Sequence, residues 1–427
     1  MVAEGLVAPR GRGAPIVVIE VEGLVAPGFE RVGEVLAHGA RLQVGERERV
    51  ADLGSGGGAF CAFVDGECVV DIWAGHAGPD IRWESDARAV IMSATKGLTT
   101  LCAHILCDRG DLDIDAPVVK YWPEFGAAGK EHTLVRHLLS HQSGAIGVPD
   151  ADRILSWEGD GWENTPGIAA AIAAAPAAWE PGTRHGYHGV TFGWLIGEIV
   201  RRVSGASLGA FFDAEVARPL DVACHIGTSD EEQAHVATVI EWTPRSASRG
   251  GALTTIDPES LAGRSVLAGS EGHLFADQHG TPRFASFMNT PAVLRAEIGA
   301  INATADARGL ARIFAELAAG DRLVSRTSVA LFSEEQVCGR DAVMRVPTRW
   351  ALGYTREPPS LIPGLPRQHG PNDEAFGHMG AGGQIAFADP VARIGCGFVR
   401  NHLENQAMPL MGACLVDALY RCAGATR

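Results

Sequence analysis

Lysine is nearly missing from this chain. Of its 36 basic residues only Lys96, Lys120 and Lys130 are lysines, and tyrosine is almost as scarce, at Tyr121, Tyr187, Tyr354 and Tyr420. Arginine stays protonated in proteins, whereas burial can neutralise a lysine amine. Each lysine of an arginine-biased chain is therefore a candidate for chemistry. Basic clusters are lacking as well. Set against 51 acidic residues, the 36 basic ones leave a net charge of −15, and without a basic patch no nucleic-acid partner is expected. Long apolar runs are absent: Ala14 to Ile19 is cut short by Glu20 and Glu22, far below the ~20 residues of a membrane span. Nor does a basic start followed by a clean apolar run mark a signal peptide. CxxC and HExxH do not occur, so zinc has no support in the spacing. His137 and His141 stand four apart and read as packing on a helix face. Nine cysteines, an odd number, include Cys61, Cys102, Cys107, Cys396 and Cys414 inside apolar runs. Buried reduced thiols and a cytoplasmic location are expected.

What is present fits a globular chain with a real core, 46 % hydrophobic and 20 % charged over 427 residues, enough for one large domain or two to three packed ones. The hexapeptide EGLVAP occurs at Glu4–Pro9 and again at Glu22–Pro27; two copies make no repeat architecture, and residues 1–45 read as an irregular N-terminal extension. The glycines of Gly54–Gly58 lack the GxGxxG spacing of a phosphate loop. A hairpin follows, Ala59–Val64 and Glu67–Trp73 about an Asp65-Gly66 turn. Leu98, Leu101, Cys102, Ile105 and Leu106 give Ser93–Arg109 a helical period, with Gly110 placed to end it. Short helices and loops are expected to about residue 300, then a helix over Ala307–Ala319. Strands follow at Trp350–Thr355, Gly383–Ala388 and Arg393–Val399, and a closing helix at about Ala407–Leu419. Strands and helices at both ends around a helical middle describe an α/β platform, residues 46–112 and 302–427, holding an insertion at 113–301.

One lysine lies three residues after a serine, in Ser93-Ala94-Thr95-Lys96 at the start of a helix. Nineteen serines and three lysines in 427 positions leave about 0.13 SxxK matches to chance. Residues i and i+3 share a helix face, so the Lys96 amine can reach the Ser93 hydroxyl, and a serine becomes a nucleophile when a neighbouring base takes its proton. An N-capping serine with a solvated lysine is the plainer alternative. Lys120 and Lys130 read as solvated side chains. Two more segments stand out: Trp179-Glu180-Pro181-Gly182 running into Tyr187-His188-Gly189 before an apolar helix, and Phe376-Gly377-His378-Met379-Gly380-Ala381 before a strand. Gly205-Ala206-Ser207-Leu208-Gly209 matches GxSxG, but that motif acts on a strand-to-helix turn. Here it lies between helices, which makes Gly205 a C-cap and Ser207 an N-cap.

From about residue 58 onward the chain resembles serine β-lactamase-related hydrolases, a group that includes class C β-lactamases, DD-peptidases and family VIII carboxylesterases. The resemblance rests on Ser93-Ala94-Thr95-Lys96, on Leu138-Leu139-Ser140-His141-Gln142-Ser143-Gly144, on the Pro181-Gly182-Thr183…Tyr187-His188 segment, and on His378-Met379-Gly380 in place of a KTG or HxG strand motif. Asp115–Pro123 and Tyr187–Glu198 look most like the esterase branch. The resemblance implies an α+β fold of the β-lactamase/transpeptidase type, an antiparallel sheet flanked by helices with a mostly helical inserted domain. It also implies a serine carboxylesterase acting on a small-molecule ester of short or medium acyl chain through an acyl-enzyme, with no metal or organic cofactor. Acyl transfer, or amide or β-lactam hydrolysis, is the alternative on the same site; a catalytically silent binding protein is another. In this reading Ser93 is the nucleophile, Lys96 its hydrogen-bonded partner, and Tyr187 a base whose pKa an ammonium at Lys96 would lower. Which of the two takes the serine proton stays open. The oxyanion donors would be the Ser93 and Ala381 N–H groups, with Gly380 and His378 beside the substrate. Gly189 stands where β-lactamases carry an asparagine, and His378 where they carry a lysine, which favours neutral esters over anionic penicillins.

Overall fold

The computed structural model describes residues 19–44, 47–241, 256–358, 365–403 and 410–424. Alternating apolar residues near both ends of the chain build one antiparallel sheet. Its main strands are β1 (Val21–Val25), β2 (Gly57–Val64), β3 (Glu67–Gly78), β4 (Val337–Arg340), β5 (Pro347–Trp350), β6 (Thr355–Arg356), β7 (Phe376–Met379), β8 (Ile385–Asp389) and β9 (Ile394–Arg400). They lie in the order β1-β3-β2-β9-β8-β7-β6-β5-β4, with the short strand Ile81–Arg82 against β3. The expected antiparallel sheet drawn from both ends is therefore present. The period of two splits it into faces: Phe60, Ala62, Phe387, Cys396 and Phe398 enter one core, while Ala59, Cys61, Phe63, Ala386 and Val399 enter the other.

Five helices place the layers: α1 (Glu30–His38), α2 (Thr95–Asp108), α3 (Thr191–Ser204), α4 (Ala307–Ala319) and α5 (Met411–Cys422). Helices α1 and α5 cover the first face. Helix α4 lies directly on β9, where side chains at Gly395 and Gly397 would meet the backbone of Ala315 and Ala307 at 2.1 and 2.6 Å. Behind α4, α2 packs on α3 and on β7. One continuous core runs from Ala59 and Leu101 through Trp194, Phe212 and Phe287. The described part of 113–301 is mainly short helices and loops. Among the described residues no helix is long and apolar enough to cross a membrane. Cys61, Cys102, Cys396 and Cys414 are buried and Cys107 is half-buried.

Four expectations are corrected. From residue 19 the N-terminal segment is not irregular: β1 pairs with β3 from Val21↔Ala74 to Val25↔Val70, and α1 buries Val32 and Leu36 completely or nearly so, each worth ~1.5–3 kcal/mol when fully buried. The second EGLVAP copy thus sits on an edge strand; the first lies outside the described residues. Residues 350–355 are not one strand: 351–354 form the turn between β5, which ends at Trp350, and β6, which begins at Thr355. The closing helix begins at Met411, and 404–409 lie outside the described residues. Lys130 is buried, its ammonium donating to the carbonyls of Ala127 (2.7 Å), Ala173 (2.9 Å) and Ala175. The last two belong to the end of the helix Thr165–Ala174, where unpaired carbonyls attract a cation. Lys120 is exposed, as expected.

Candidate functional site

Ser93 stands in a turn of 3-10 helix, Met92–Ala94, that runs into α2. Met92 just before it has φ +49°, a left-handed conformation that costs a non-glycine residue ~1–3 kcal/mol. This kink redirects the chain from the short strand Ala89–Val90 into the helix. The segment after residue 298 clamps the junction. Ile91 N–H donates to the Ala303 carbonyl at 2.9 Å, and Ala303 N–H donates to Thr95 Oγ1 at 3.0 Å.

Lys96, completely buried, points back at the serine. Its Nζ lies 3.3 Å from Ser93 Oγ, 2.8 Å from the Gly189 carbonyl and 2.9 Å from the Ala300 carbonyl. Among the described residues no carboxylate contacts it, and burial holds its pKa well below the ordinary lysine value. A neutral amine has two hydrogens and one lone pair. The two carbonyls can only accept, so they take the hydrogens, and the lone pair is left for the Ser93 hydroxyl.

Tyr187 reaches the same oxygen from the other side, its hydroxyl donating to Ser93 Oγ at 2.8 Å. The ring stacks on Trp350 at the end of β5, with centroids 5.6 Å apart and planes 13° from parallel, and Lys96 Nζ sits 4.8 Å from its centroid. Burial pushes the Tyr187 phenol pKa above its usual value, against a smaller opposing effect of the Ser93 hydrogen bond. A depressed tyrosine pKa was expected from a neighbouring ammonium; with Lys96 itself desolvated, that ammonium is not favoured and the shift runs the other way.

The segment carrying Tyr187 has no regular structure, and every one of its N–H groups is tied elsewhere. Gly186 N–H donates to the His141 carbonyl (3.0 Å), Tyr187 N–H to Asp341 Oδ1 (3.1 Å), His188 N–H to His141 Nδ1 (3.2 Å) and Gly189 N–H to Ser265 Oγ (3.0 Å). Asp341, fully buried, also accepts the N–H groups of Val343 and Met344 at 2.8 Å each. Both nitrogens of the His188 ring have partners other than Ser93: Nδ1 donates to the Gly186 carbonyl at 2.7 Å and Nε2 pairs with Ser143 Oγ at 2.9 Å. His141 packs edge-on to Trp350, ring centroids 4.2 Å apart. Among the described residues no group of three His, Cys, Asp or Glu side chains could hold a metal ion.

The His378-Met379-Gly380-Ala381 motif lies on β7 and the turn after it, against the Ser93 turn. The Gly380 N–H is spent on the Gln384 carbonyl at 2.9 Å, so Gly380 contributes packing beside Ile91 and no donor. The Ala381 N–H has no hydrogen-bond partner among the described residues. His378 is buried; its Nδ1 donates to the Met379 carbonyl at 2.8 Å, which leaves Nε2 as an acceptor without a partner among the described residues. Burial lowers its pKa to about 3, so the ring is neutral and supplies no fixed cation.

Ser93, Lys96 and Tyr187 are brought together, with His378 nearby at 6.3 Å between ring centroids of Tyr187 and His378. Met92, Asp341, Trp350, Ser265 and the Gly189 and Ala300 carbonyls carry no local signal of a role; long-range contact alone assigns them. Ser207 is an N-cap as expected, accepting from Ala210 N–H at 3.3 Å and donating to Glu297 Oε1 at 2.7 Å, with Gly205 at φ +78° ending α3. It lines a separate surface cavity of about 500 Å³ with Arg201, Arg295 and Glu297.

Comparison with known proteins agrees with this architecture. Residues 45–413 match the family described as Beta-lactamase. The chain is 33 % identical over 377 residues to Esterase/beta-lactamase LipL of Mycobacterium tuberculosis (strain ATCC 25618 / H37Rv), covering 82 % of this chain and 77 % of that protein. A family VIII carboxylesterase structure superposes with a TM-score of 0.77 at 30 % identity, over 95 % of this chain and 100 % of that one. EstA from Arthrobacter nitroguajacolicus Rue61a gives 0.76 at 27 % identity, over 94 % and 98 %. The fold is of the β-lactamase/transpeptidase type, and the chain belongs to the beta-lactamase family.

Proposed function

We propose that the protein is a serine carboxylesterase whose nucleophile is Ser93. The observation that carries this reading is one oxygen, Ser93 Oγ, held between a desolvated amine and a phenol. As an ester carbonyl carbon is attacked, the Ser93 proton passes to the Lys96 lone pair. The Ser93 and Ala381 N–H groups stabilise the oxyanion, each such donor worth ~10²–10³ in rate. Tyr187 protonates the departing alkoxide and recovers a proton from Lys96. An acyl-serine and an alcohol result. Water then enters, giving up a proton to the same pair, and releases the acid and Ser93. Lys96 is thus the base and Tyr187 the proton carrier, the assignment their opposite burial shifts support.

The surroundings of the pair support a substrate class. Ile146, Trp179 and Val343 form a small apolar cluster against which Tyr187 and Leu261 pack, and these apolar neighbours support a short or medium acyl chain. A neutral His378 offers nothing to a substrate carboxylate, which places neutral esters ahead of β-lactam acids. The likeness to a protein named both esterase and beta-lactamase makes this a point to test. Turnover of p-nitrophenyl acetate and butyrate is expected to exceed that of a chromogenic cephalosporin by at least ~100-fold in kcat/KM, and Ser207→Ala is expected to keep wild-type ester rates. Cephalosporin turnover equal to ester turnover would overturn the substrate assignment.

A further inference from the structure

The Tyr187-His188-Gly189 segment carries one catalytic side chain and one carbonyl that holds another, yet nothing in its own sequence fixes its shape. One hydroxyl closes it. Ser265, at the end of the helix Leu261–Ser265 and buried, donates to the Tyr187 carbonyl at 2.8 Å and accepts the Gly189 N–H at 3.0 Å. Its donor and an acceptor site are therefore both used on residues i and i+2 of the same segment, pinning a turn from which the phenol points to Ser93 and the Gly189 carbonyl points to Lys96. Position 189 has no room for a side chain, since a Cβ there would lie 2.6 Å from the Ser265 carbonyl oxygen and 2.7 Å from its Oγ. The helix bringing Ser265 is itself seated: Ser260 caps it by accepting Gly263 N–H at 3.0 Å, and Leu261 packs in the apolar cluster beside Tyr187.

We propose that Ser265 is a positioning residue for ester hydrolysis, setting the Tyr187 phenol against Ser93 and the leaving group. The inference rests on the Ser93 reading above. It makes residue 265 the reason a glycine at 189 is compatible with an ordered site: the anchor is supplied across the chain, by a hydroxyl, in the space a local side chain would fill. Without that hydroxyl the Tyr187 carbonyl and the Gly189 N–H lose their shared partner, and the proton carrier drifts from the leaving group, a misplacement of ~1 Å being enough to cost ~10²-fold.

The test compares leaving groups. An alkoxide needs the Tyr187 proton to leave, whereas p-nitrophenoxide does not. Ser265→Ala is expected to lower kcat/KM for ethyl butyrate about 100-fold and for p-nitrophenyl butyrate less than about 10-fold, with kcat and not KM carrying the change. The ratio of the two rates does not depend on how much of the sample is folded, so loss of stability alone cannot mimic it. Gly189→Ala, which forces the same contact apart, is expected to discriminate in the same direction. An equal fall on both esters in Ser265→Ala, or no fall on either, would overturn the proposal. Ser93→Ala, assayed alongside, separates the two levels. If it keeps wild-type rates, the underlying reading fails. If it is inactive while Ser265→Ala depresses both esters alike, only the role of Ser265 fails.

Discussion

Replacing Ser93 by alanine is expected to lower kcat/KM for p-nitrophenyl butyrate by about 10⁴-fold or more, to the residual rate that oxyanion donors and binding sustain without a nucleophile. The loss is chemical and not structural. Among the described residues the partners of Ser93 Oγ are the Lys96 amine and the Tyr187 phenol, and the clamp on its turn runs through Ile91, Thr95 and Ala303 instead. Initial rates and a thermal melt on the same preparations check this. A variant that melts with the wild type and keeps a rate within tenfold of it contradicts the nucleophile assignment.

The second large effect is at Lys96. Lys96→Ala is expected to cost about 10³-fold in kcat/KM, within the ~10²–10⁴ range of general-base catalysis. Lys96→Arg should restore none of it, because a guanidinium has no lone pair to accept the serine proton. The wild-type pH profile carries the same assignment with a definite sign. With Lys96 as the proposed base its working form is the neutral amine, so activity is expected to fall as pH drops through its pKa and to be level above it. Burial depresses that pKa, so the acid limb lies well below the ordinary lysine range of ~10.4. Tyr187, whose pKa burial raises, stays a phenol across the limb. Rates that keep climbing to pH 10 would show an ordinary solvated lysine and contradict the account.

The core of the site was legible because its decisive spacing is local. Ser93 and Lys96 are three residues apart, and helical geometry alone joins their side chains. Tyr187 is 94 residues from Ser93 and was reached through motif order, a different kind of information. Beyond these three and the His378-Met379-Gly380-Ala381 turn, sequence reasoning has no purchase. Asp341 meets Tyr187 across 154 residues and Ser265 meets Gly189 across 76, and nothing at either position differs from an ordinary loop aspartate or serine. The Tyr187 shift runs against the sequence expectation for a physical reason: burial of the phenol outweighs the opposing Ser93 hydrogen bond, and burial is not visible in the local sequence. Lys130 shows the same limit, since its role is set by the end of a helix 43–45 residues away. In the sheet, alternation made β2, β8 and β9 readable. The first strand and helix were obscured by the repeated hexapeptide, although Val32 and Leu36 have the spacing of a buried face.

The most direct test of the central claim is to trap the intermediate. Wild-type enzyme mixed with excess p-nitrophenyl butyrate, quenched in acid during the steady state and digested, should yield the peptide containing Ser93 heavier by one butyryl group. That label should be missing from Ser93→Ala and present in Tyr187→Phe, where water attack is slowed. A burst of p-nitrophenol with the acyl group on Ser207 or another residue, or turnover with Ser93 never labelled in either enzyme, would contradict it.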